Sequence, residues 1–226
     1  MIYRKHIVVL VLIVFYKYHF ICAATQAIVK TGYSEQGYYL RFVEKHKKTE
    51  HDIPDIVIVG DSILYGLKLL NIDGCVIDNL SIPGEISRSL YKRTPHLKYG
   101  ETTDIVMMIG VNDIGQNVAP YKIVQNIAGI TRYFLPDVNS VTLLTVIETD
   151  GFVRNNANIR HLNRLIFQYF SHSEKVSIVD INRELNNRFS SPCSYTYDGI
   201  HLSPEANQVM RTTLTQHLSA NSTCAR

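Results

Sequence analysis

Ser62 has the position in this sequence that a nucleophilic serine needs. It follows a run of β-branched residues, 56–59, and the pair Gly60-Asp61, and the apolar residues after it recur at helical spacing. This pattern predicts a strand, a tight turn and a helix. A serine in the first turn of such a helix lies at the carboxyl edge of the sheet, among backbone N–H groups that have no partner in the helix. Asp and Ser are also preferred helix caps, so the alternative is that Asp61 or Ser62 only caps the helix.

Asp198 and His201 could supply the base that such a serine requires. They lie three residues apart in the run YDGIHL, just before the last predicted helix. A histidine in this position can donate one ring N–H to the carboxylate and offer its other nitrogen to the nucleophile. Activity would then rise with pH through one ionisation near the ordinary histidine value of about 6.5. The alternative is a turn aspartate and a partly exposed loop histidine.

Gly84 and Asn112 are candidate donors to an oxyanion. A glycine lets the backbone N–H approach a substrate closely. An asparagine amide directly after a strand is a neutral donor held by rigid backbone, which is what charge stabilisation in a transition state needs. Both residue types are also common turn formers, and that alternative stays open here.

Five short runs rich in Val and Ile must form the framework that carries these residues. They lie at 56–59, 75–77, 105–109, 141–146 and 176–181. Helical patterns at 38–48, 121–134 and 159–170 and a last helix, capped by Ser203 with Pro204 in its first turn, lie between or beside them. Strands that are apolar on both faces and alternate with helices predict a parallel sheet covered on both sides. The predicted fold is α/β, a three-layer α/β/α sandwich.

Ligands of such sheets bind outside the carboxyl ends of the strands. The rule selects the loops 60–62, 80–85, 110–119, 148–156 and 182–201, and four of them hold the candidate residues. The loop 148–156 is expected to shape specificity. Its Arg154 could contact an anionic or glycan group, or it could be a solvated loop arginine.

The N-terminus is expected to direct export. Arg4 and Lys5 precede an apolar run, 7–15, and small residues follow at 22–24, as in a secretory signal. The run is short for a membrane span. We therefore predict a signal peptide, 1–24, and a single domain, 25–226, secreted or periplasmic. A membrane anchor formed by an uncleaved leader is the alternative.

The charge balance argues against a nucleic-acid partner. Removal of residues 1–24 takes away Arg4, Lys5 and Lys17, so the 23 basic residues become 20, equal to the 20 acidic ones. The basic character of the whole chain therefore belongs mostly to the leader.

Three cysteines remain after the leader, Cys75, Cys193 and Cys224. Export permits a disulfide, and Cys193 with Cys224 would tie the late loop to the C-terminal tail, but the pairing cannot be read from the sequence. Cys75 begins an apolar run and is predicted to be a buried structural residue. No CxxC or HExxH spacing occurs, so neither a metal nor a cofactor is expected.

Taken together, the four motifs resemble the blocks of the SGNH (GDSL) hydrolase superfamily, in order and at compatible spacing: Gly60-Asp61-Ser62, Gly84, Gly110-Val111-Asn112-Asp113 and Asp198-Gly199-Ile200-His201. The resemblance spans 38–218. The lead helix, the stretch IPDIVIVGDSIL and the compact length are similar to the branch that includes platelet-activating-factor acetylhydrolase catalytic subunits and small carbohydrate esterases. Ile63 stands where leucine is usual.

The resemblance implies a flavodoxin-like, five-stranded parallel sheet and ester hydrolysis through an acyl-enzyme. Ser62 would be the nucleophile, His201 the general base and then acid, and Asp198 the group that orients His201. The backbone N–H groups of Ser62 and Gly84 and the amide of Asn112 would form the oxyanion hole. Neither a metal nor a cofactor is implied.

The short loops favour an open cleft and a short, acetyl-type acyl group, carried by a small ester or by a glycan. The alternatives are a lysophospholipase-type lipid esterase, an acyltransferase to a sugar, and a glycan-binding module without turnover. The oligomeric state is left open. Two Asn-X-Ser/Thr sequons begin at Asn79 and Asn221; only Asn221, in a polar tail, is expected to carry a glycan.

Overall fold

A computed structural model describes Glu44, residues 53–67, Ile72, residues 74–150 and residues 155–222. Five strands form one parallel sheet in the order β2-β1-β3-β4-β5. Their bounds are β1 Ile56–Gly60, β2 Ile77–Asn79, β3 Asp104–Met108, β4 Ser140–Leu144 and β5 Val176–Val179. The α/β fold with a flavodoxin-like parallel sheet is thereby confirmed.

Within the described residues, eight α-helices and one 3-10 turn connect or follow these strands. They are α1 Ser62–Tyr65, α2 Ser87–Arg93, the 3-10 turn Thr94–His96, α3 Val111–Gly115, α4 Pro120–Phe134, α5 Asn156–Phe170, α6 Ile181–Arg188, α7 Pro192–Tyr195 and α8 Pro204–Asn221. Helix α4 packs against both α2 and α5, and α6 packs against α8. In the described part of the chain, no helix has the length and apolar character that crossing a bilayer requires.

Burial follows the position of each strand in the sheet. Every residue of β1 and β3 is buried, whereas the edge strand β2 is half-buried throughout and β5 is half-buried at its centre. Central strands with helices on both faces need apolar side chains on both faces. This explains why β1 and β3 have the clearest strand signals in the sequence.

Three of the predicted strands were wrong by two residues at one or both ends. The second strand begins at Ile77 instead of Cys75, because a half-buried edge strand does not need the apolar residues that marked 75–77. The fourth strand ends at Leu144. The backbone N–H and carbonyl of Val146 form hydrogen bonds with the Asn163 side chain instead of with a neighbouring strand. The fifth ends at Val179, because Asp180 caps α6 by accepting from the Arg183 N–H.

The predicted helices are confirmed where the structure describes them. Tyr169 continues the three- and four-residue apolar spacing of α5, yet its side chain is 55% exposed. The interval 182–201, expected to be a loop, contains most of α6 and all of α7. The predicted helix 38–48 lies outside the described residues apart from Glu44, which is helical. The leader 1–24 also lies outside them.

The cysteine expectations need one correction. Cys75 is disulfide-bonded and half-exposed, whereas a buried structural residue was predicted. Its partner lies outside the described residues, as Cys224 does. The structure assigns the disulfide to Cys75 and not to Cys193, so the pairing considered between Cys193 and Cys224 is not found.

Candidate active site

The topology brings two of the candidate loops together. The chain leaves β1 towards β2 on one side, and β3 lies on the other side of β1, so the strand order reverses at this point. Such a switch point opens a crevice at the carboxyl ends of the two strands. Ser62 follows β1 and Asn112 follows β3, so both lie at this crevice.

A sharp turn between β1 and α1 presents Ser62. Asp61 is the N-cap of α1, and its Oδ1 accepts from the Ile63 N–H at 3.0 Å. A Cβ at Gly60 would lie 2.2 Å from the Met108 carbonyl oxygen, so only glycine fits this close approach to β3. The capping interpretation is therefore right for Asp61, and it leaves the Ser62 hydroxyl available for another partner.

Ser62, His201 and Asp198 form a continuous hydrogen-bonded chain. His201 Nε2 lies 2.8 Å from Ser62 Oγ, and His201 Nδ1 lies 2.6 Å from Asp198 Oδ2. An ionised carboxylate only accepts, so Nδ1 carries the proton and Nε2 accepts from the serine hydroxyl. This arrangement lets the imidazole take the proton of Ser62.

Asp198 is held in its ionised form. Burial opposes ionisation, but the His201 side chain, the His201 N–H at 2.7 Å and the Ile200 N–H at 3.0 Å together hold the pKa of Asp198 below its ordinary value. A carboxylate that receives several N–H donors stays charged. Asp198 can therefore stabilise a positive charge on His201.

A short hairpin-like loop fixes the histidine. The Tyr197 N–H donates to the His201 carbonyl at 3.0 Å, and Thr196 pairs with Leu202 in an isolated bridge. Ser203 then caps α8 by accepting from the Ala206 N–H. The predicted cap is confirmed, and it ties His201 to a rigid helix.

Gly84 lies in a tight turn beside this chain. The Glu85 N–H donates to the Ile82 carbonyl at 3.1 Å, and Gly84 has φ +79°. Pro83 and Gly84 are therefore the two central residues of a type II turn, whose second central position favours glycine. Within the described residues the Gly84 N–H has no acceptor, and a Cβ built on Gly84 would meet nothing within 4 Å. The N–H thus remains available to a ligand in open space.

Asn112 lies in the first turn of α3 and contacts the same loop. Its Nδ2 donates to the Glu85 carbonyl at 3.0 Å. An amide has two N–H donors, so the second remains for a ligand. Hydrogen bonds therefore link these candidate loops: the Ile82 N–H donates to the Gly60 carbonyl at 2.9 Å, Asn112 bonds to Glu85, and His201 bonds to Ser62.

The remaining candidate loop is only partly described. Residues 151–154, which include Arg154, lie outside the described residues, so the expectation for Arg154 stays a prediction. The described ends are anchored: Asn156 Oδ1 accepts from the Thr149 N–H at 2.9 Å, and the Asp150 N–H donates to the Gly199 carbonyl at 2.8 Å.

Asp61 gives the site an unusual electrostatic feature. It is 1% exposed, and its Oδ2 has no hydrogen-bond partner in the part of the chain that the structure describes. Burial raises the pKa of Asp61 to about 7, against smaller opposing effects of the Ile63 N–H and a charged His201. A neutral Asp61 removes a negative charge from the neighbourhood of Ser62.

Sequence reasoning missed two features of the site. Glu85 and Arg93 form a buried ion pair beneath the Gly84 turn. Tyr197 stacks on the His201 ring, with centroids 5.8 Å apart and planes at 20°. An acidic and a basic residue eight positions apart gave no periodic signal, whereas the position of Tyr197 directly before Asp198 could have drawn attention to it.

No three His, Cys, Asp or Glu side chains of the described residues gather in a way that could hold a metal ion. The expectation of a metal-free, cofactor-free site stays a prediction.

Comparison with known proteins decides the family. The profile of the GDSL-like Lipase/Acylhydrolase family matches residues 58–209, which is about two thirds of the chain and includes every candidate residue. The chain belongs to this family. This is the family that the resemblance of its sequence motifs implied.

Solved structures support the fold. A protein from Streptococcus pneumonia, described as a candidate platelet activating factor, is 22% identical, with a TM-score of 0.72 over 81% of this chain and 94% of that one. An acetylxylan esterase from Geobacillus stearothermophilus is 15% identical, with a TM-score of 0.57 over 72% of this chain and 93% of that one.

The curated relatives are only partly comparable. An N-acylneuraminate cytidylyltransferase from Streptococcus agalactiae is 27% identical over 158 residues, 69% of this chain. The match covers 36% of that enzyme's length. The chain therefore corresponds to about a third of the curated relatives.

Proposed function

We propose that the protein is an exported serine esterase that removes a short, acetyl-type acyl group from a glycan. The observation that carries the proposal is the hydrogen-bonded chain from Ser62 through His201 to Asp198. Nucleophile, base and orienting carboxylate in this geometry serve acyl transfer on unrelated folds.

The reaction proceeds in two steps. Ser62 Oγ attacks the ester carbonyl carbon while its proton passes to His201 Nε2. The tetrahedral intermediate collapses, and the sugar alcohol leaves with that proton, which yields an acyl-Ser62. A water molecule then attacks the acyl carbon, His201 again takes and returns a proton, and the carboxylic acid leaves. Asp198 stabilises the imidazolium in both steps.

Three N–H groups stabilise the oxyanion in this proposal: the backbone N–H groups of Ser62 and Gly84 and the second N–H of the Asn112 amide. None of the three donates to an acceptor within the described residues. Donors held by a helix start, a tight turn and an anchored amide need no reorganisation during the reaction, which makes them effective in catalysis.

The exposed ring of Tyr197 favours a sugar as the acyl carrier. The side chain is 61% exposed and lies against the base. Sugar rings have apolar C–H faces that pack on aromatic rings, and aromatic side chains with a few polar groups are typical of ligand sites. By their names, the acetylxylan esterase acts on an acetylated sugar polymer and the cytidylyltransferase on an acylated sugar.

A lipid ester is the second candidate substrate, because the structure from Streptococcus pneumonia is named for a lipid mediator. Export is supported by the leader sequence and by the disulfide at Cys75, since disulfides persist in oxidising compartments.

The experiment compares acetate release from acetylated xylooligosaccharides with fatty-acid release from lysophospholipid. We expect acetate release to dominate, and Tyr197→Ala to raise KM for the oligosaccharide without a similar effect on p-nitrophenyl acetate. Tyr169→Ala is the matched control, because Tyr169 is similarly exposed at the far end of α5.

Preferential lysophospholipid hydrolysis would contradict the glycan assignment. Acetate that appears on an added sugar acceptor instead of in solution would identify the protein as a transferase. Oligosaccharide binding without any release would identify a binding module.

A further inference from the structure

We propose that the buried Glu85–Arg93 ion pair positions the two oxyanion donors Gly84 and Asn112. The inference rests on the proposed function, because that function assigns these donors to the oxyanion. It concerns two residues that do not touch the substrate and act through the loop above them.

The pair has a rigid, two-point geometry. Arg93 Nε lies 2.6 Å from Glu85 Oε1, and Arg93 Nη2 lies 2.6 Å from Glu85 Oε2. The side chains are 5% and 0% exposed. Bidentate bonds between a guanidinium and a carboxylate fix orientation as well as distance.

Arg93 holds both ends of the oxyanion loop. Its Nη2 also donates to the Leu80 carbonyl at 2.7 Å, at the point where the chain leaves β2. Glu85 ends the type II turn, so a single guanidinium joins the first and last residues of the loop 80–85. The conformation of Gly84 between them follows from these anchors.

The same loop positions Asn112. The backbone carbonyl of Glu85, whose side chain is bound by Arg93, accepts a hydrogen bond from the Asn112 amide at 3.0 Å. A parallel anchor lies next to it: the Asp113 carboxylate accepts from the Ser87 N–H at 2.8 Å and the Ser87 hydroxyl at 2.7 Å. The ion pair, the turn and the amide therefore form one connected unit.

Stability alone does not explain the pair. Two buried charges lose their hydration, and a well-packed apolar pair of similar size is often at least as stable. In addition, Arg93 Nη1 is buried without a hydrogen-bond partner within the described residues, which is itself unfavourable. The ion pair is suited to fixing the orientation of the loop 80–85, since an apolar contact in its place would leave the loop free to shift.

Two variants test the proposal. Arg93→Lys keeps the charge and loses the planar fork. The double variant Arg93→Met/Glu85→Gln removes both charges and leaves no unpaired ion. For each we expect kcat to fall roughly 10- to 100-fold, the effect of a misplacement of about 1 Å. KM should stay nearly constant, because contacts made only in the transition state change kcat. The control is Leu214→Ala in α8. All variants are assayed at temperatures at which circular dichroism shows that they are folded.

A double-mutant cycle separates positioning from general damage. If Arg93 acts through the oxyanion donors, Arg93→Lys should cost much less in an Asn112→Ala background than in the native protein. Equal costs in both backgrounds, or a loss of kcat in Leu214→Ala of the same size, would overturn the proposal.

Nitrogen-15 NMR provides a readout that does not depend on turnover. The Gly84 N–H and the Asn112 side-chain amide should shift or broaden in Arg93→Lys but not in Leu214→Ala. Unchanged signals in Arg93→Lys would overturn the positioning role. If the native protein hydrolysed no ester while these signals moved, the proposed function would fail and the structural coupling would stand.

Discussion

Replacement of Asp61 by asparagine should stabilise the protein in a strongly pH-dependent way. The carboxyl is buried, one of its oxygens has no partner among the described residues, and burial raises its pKa from the ordinary 3.8 to about 7. The folded protein therefore keeps the proton up to about pH 7, whereas the unfolded chain releases it near pH 3.8. Between these values unfolding releases a proton, so a rise in pH lowers the free energy of unfolding.

The magnitude follows from the shift. A difference of about three pKa units at 1.36 kcal/mol per unit corresponds to roughly 4 kcal/mol of stability that is present below pH 4 and lost by pH 8. The asparagine side chain in Asp61→Asn does not titrate, and its Oδ1 can still cap α1 by accepting from the Ile63 N–H. The amide N–H₂ of the variant lacks a partner just as the protonated Oδ2 of the native carboxyl does. The native protein and the variant should therefore have nearly equal free energies of unfolding at pH 4.

Urea denaturation of the native protein and Asp61→Asn from pH 4 to pH 8 measures this directly. The two stabilities should coincide at pH 4, and the variant should be more stable by roughly 4 kcal/mol at pH 8. Ser203→Ala is the control: it removes the cap of α8 without removing a titrating group, and it should cost about 1 kcal/mol at every pH. A difference in the free energy of unfolding that stays constant from pH 4 to pH 8, or a variant less stable than the native protein at pH 8, would refute the reasoning.

Three further predictions concern single positions. Asn112→Ala should lower kcat by about 10²–10³ in steady-state assays with little change in thermal stability; a loss below tenfold would exclude its amide from the oxyanion. Gly84→Ala forces a side chain into φ +79°, at a cost of about 1–2 kcal/mol. It also disturbs the turn that holds the proposed N–H donor, so kcat should fall; calorimetry and kinetics measure the two effects, and full activity would remove Gly84 from the site. After expression in a secretory eukaryotic cell, peptide mapping should find glycan on Asn221 and none on Asn79. Asn221 was expected in a tail after the last helix; it is instead the exposed last residue of α8, and its amide donates to the His217 carbonyl at 2.6 Å. Asn79 is half-buried, and its amide donates to the Leu64 carbonyl at 2.8 Å; glycan on Asn79 in active enzyme would contradict the packing of β2 against α1.

The central framework could be predicted because its sequence signals are redundant. Residues 56–59 and 105–109 are continuous apolar runs, since β1 and β3 are buried on both faces. The edge strand β2 could not be located to the residue, because a half-buried strand pairs through its backbone and leaves its side chains unconstrained. The helix α6 was missed because only Ile181, Asn182 and Leu185 of its eight residues are buried.

The candidate site divides in the same way. Ser62 and Asn112 each follow a strand and His201 precedes the capped helix α8, so recognisable element boundaries bring them to one edge of the sheet. The Glu85–Arg93 pair and the buried Oδ2 of Asp61, which meets no donor in the described chain, depend on which atoms meet in three dimensions. Neither the spacing nor the residue types in the sequence determine such contacts.

The most direct test of the account is to locate the acyl group during turnover. The native protein is mixed with excess p-nitrophenyl acetate, quenched in acid at early times and digested for mass spectrometry. We predict one acetyl group per molecule on the peptide that contains Ser62, formed with the first burst of p-nitrophenol, and neither burst nor acetyl group in folded Ser62→Ala. Acetate release that continues in Ser62→Ala, or an acetyl group on another residue that forms and decays at the rate of turnover, would contradict the assignment of Ser62 as the nucleophile.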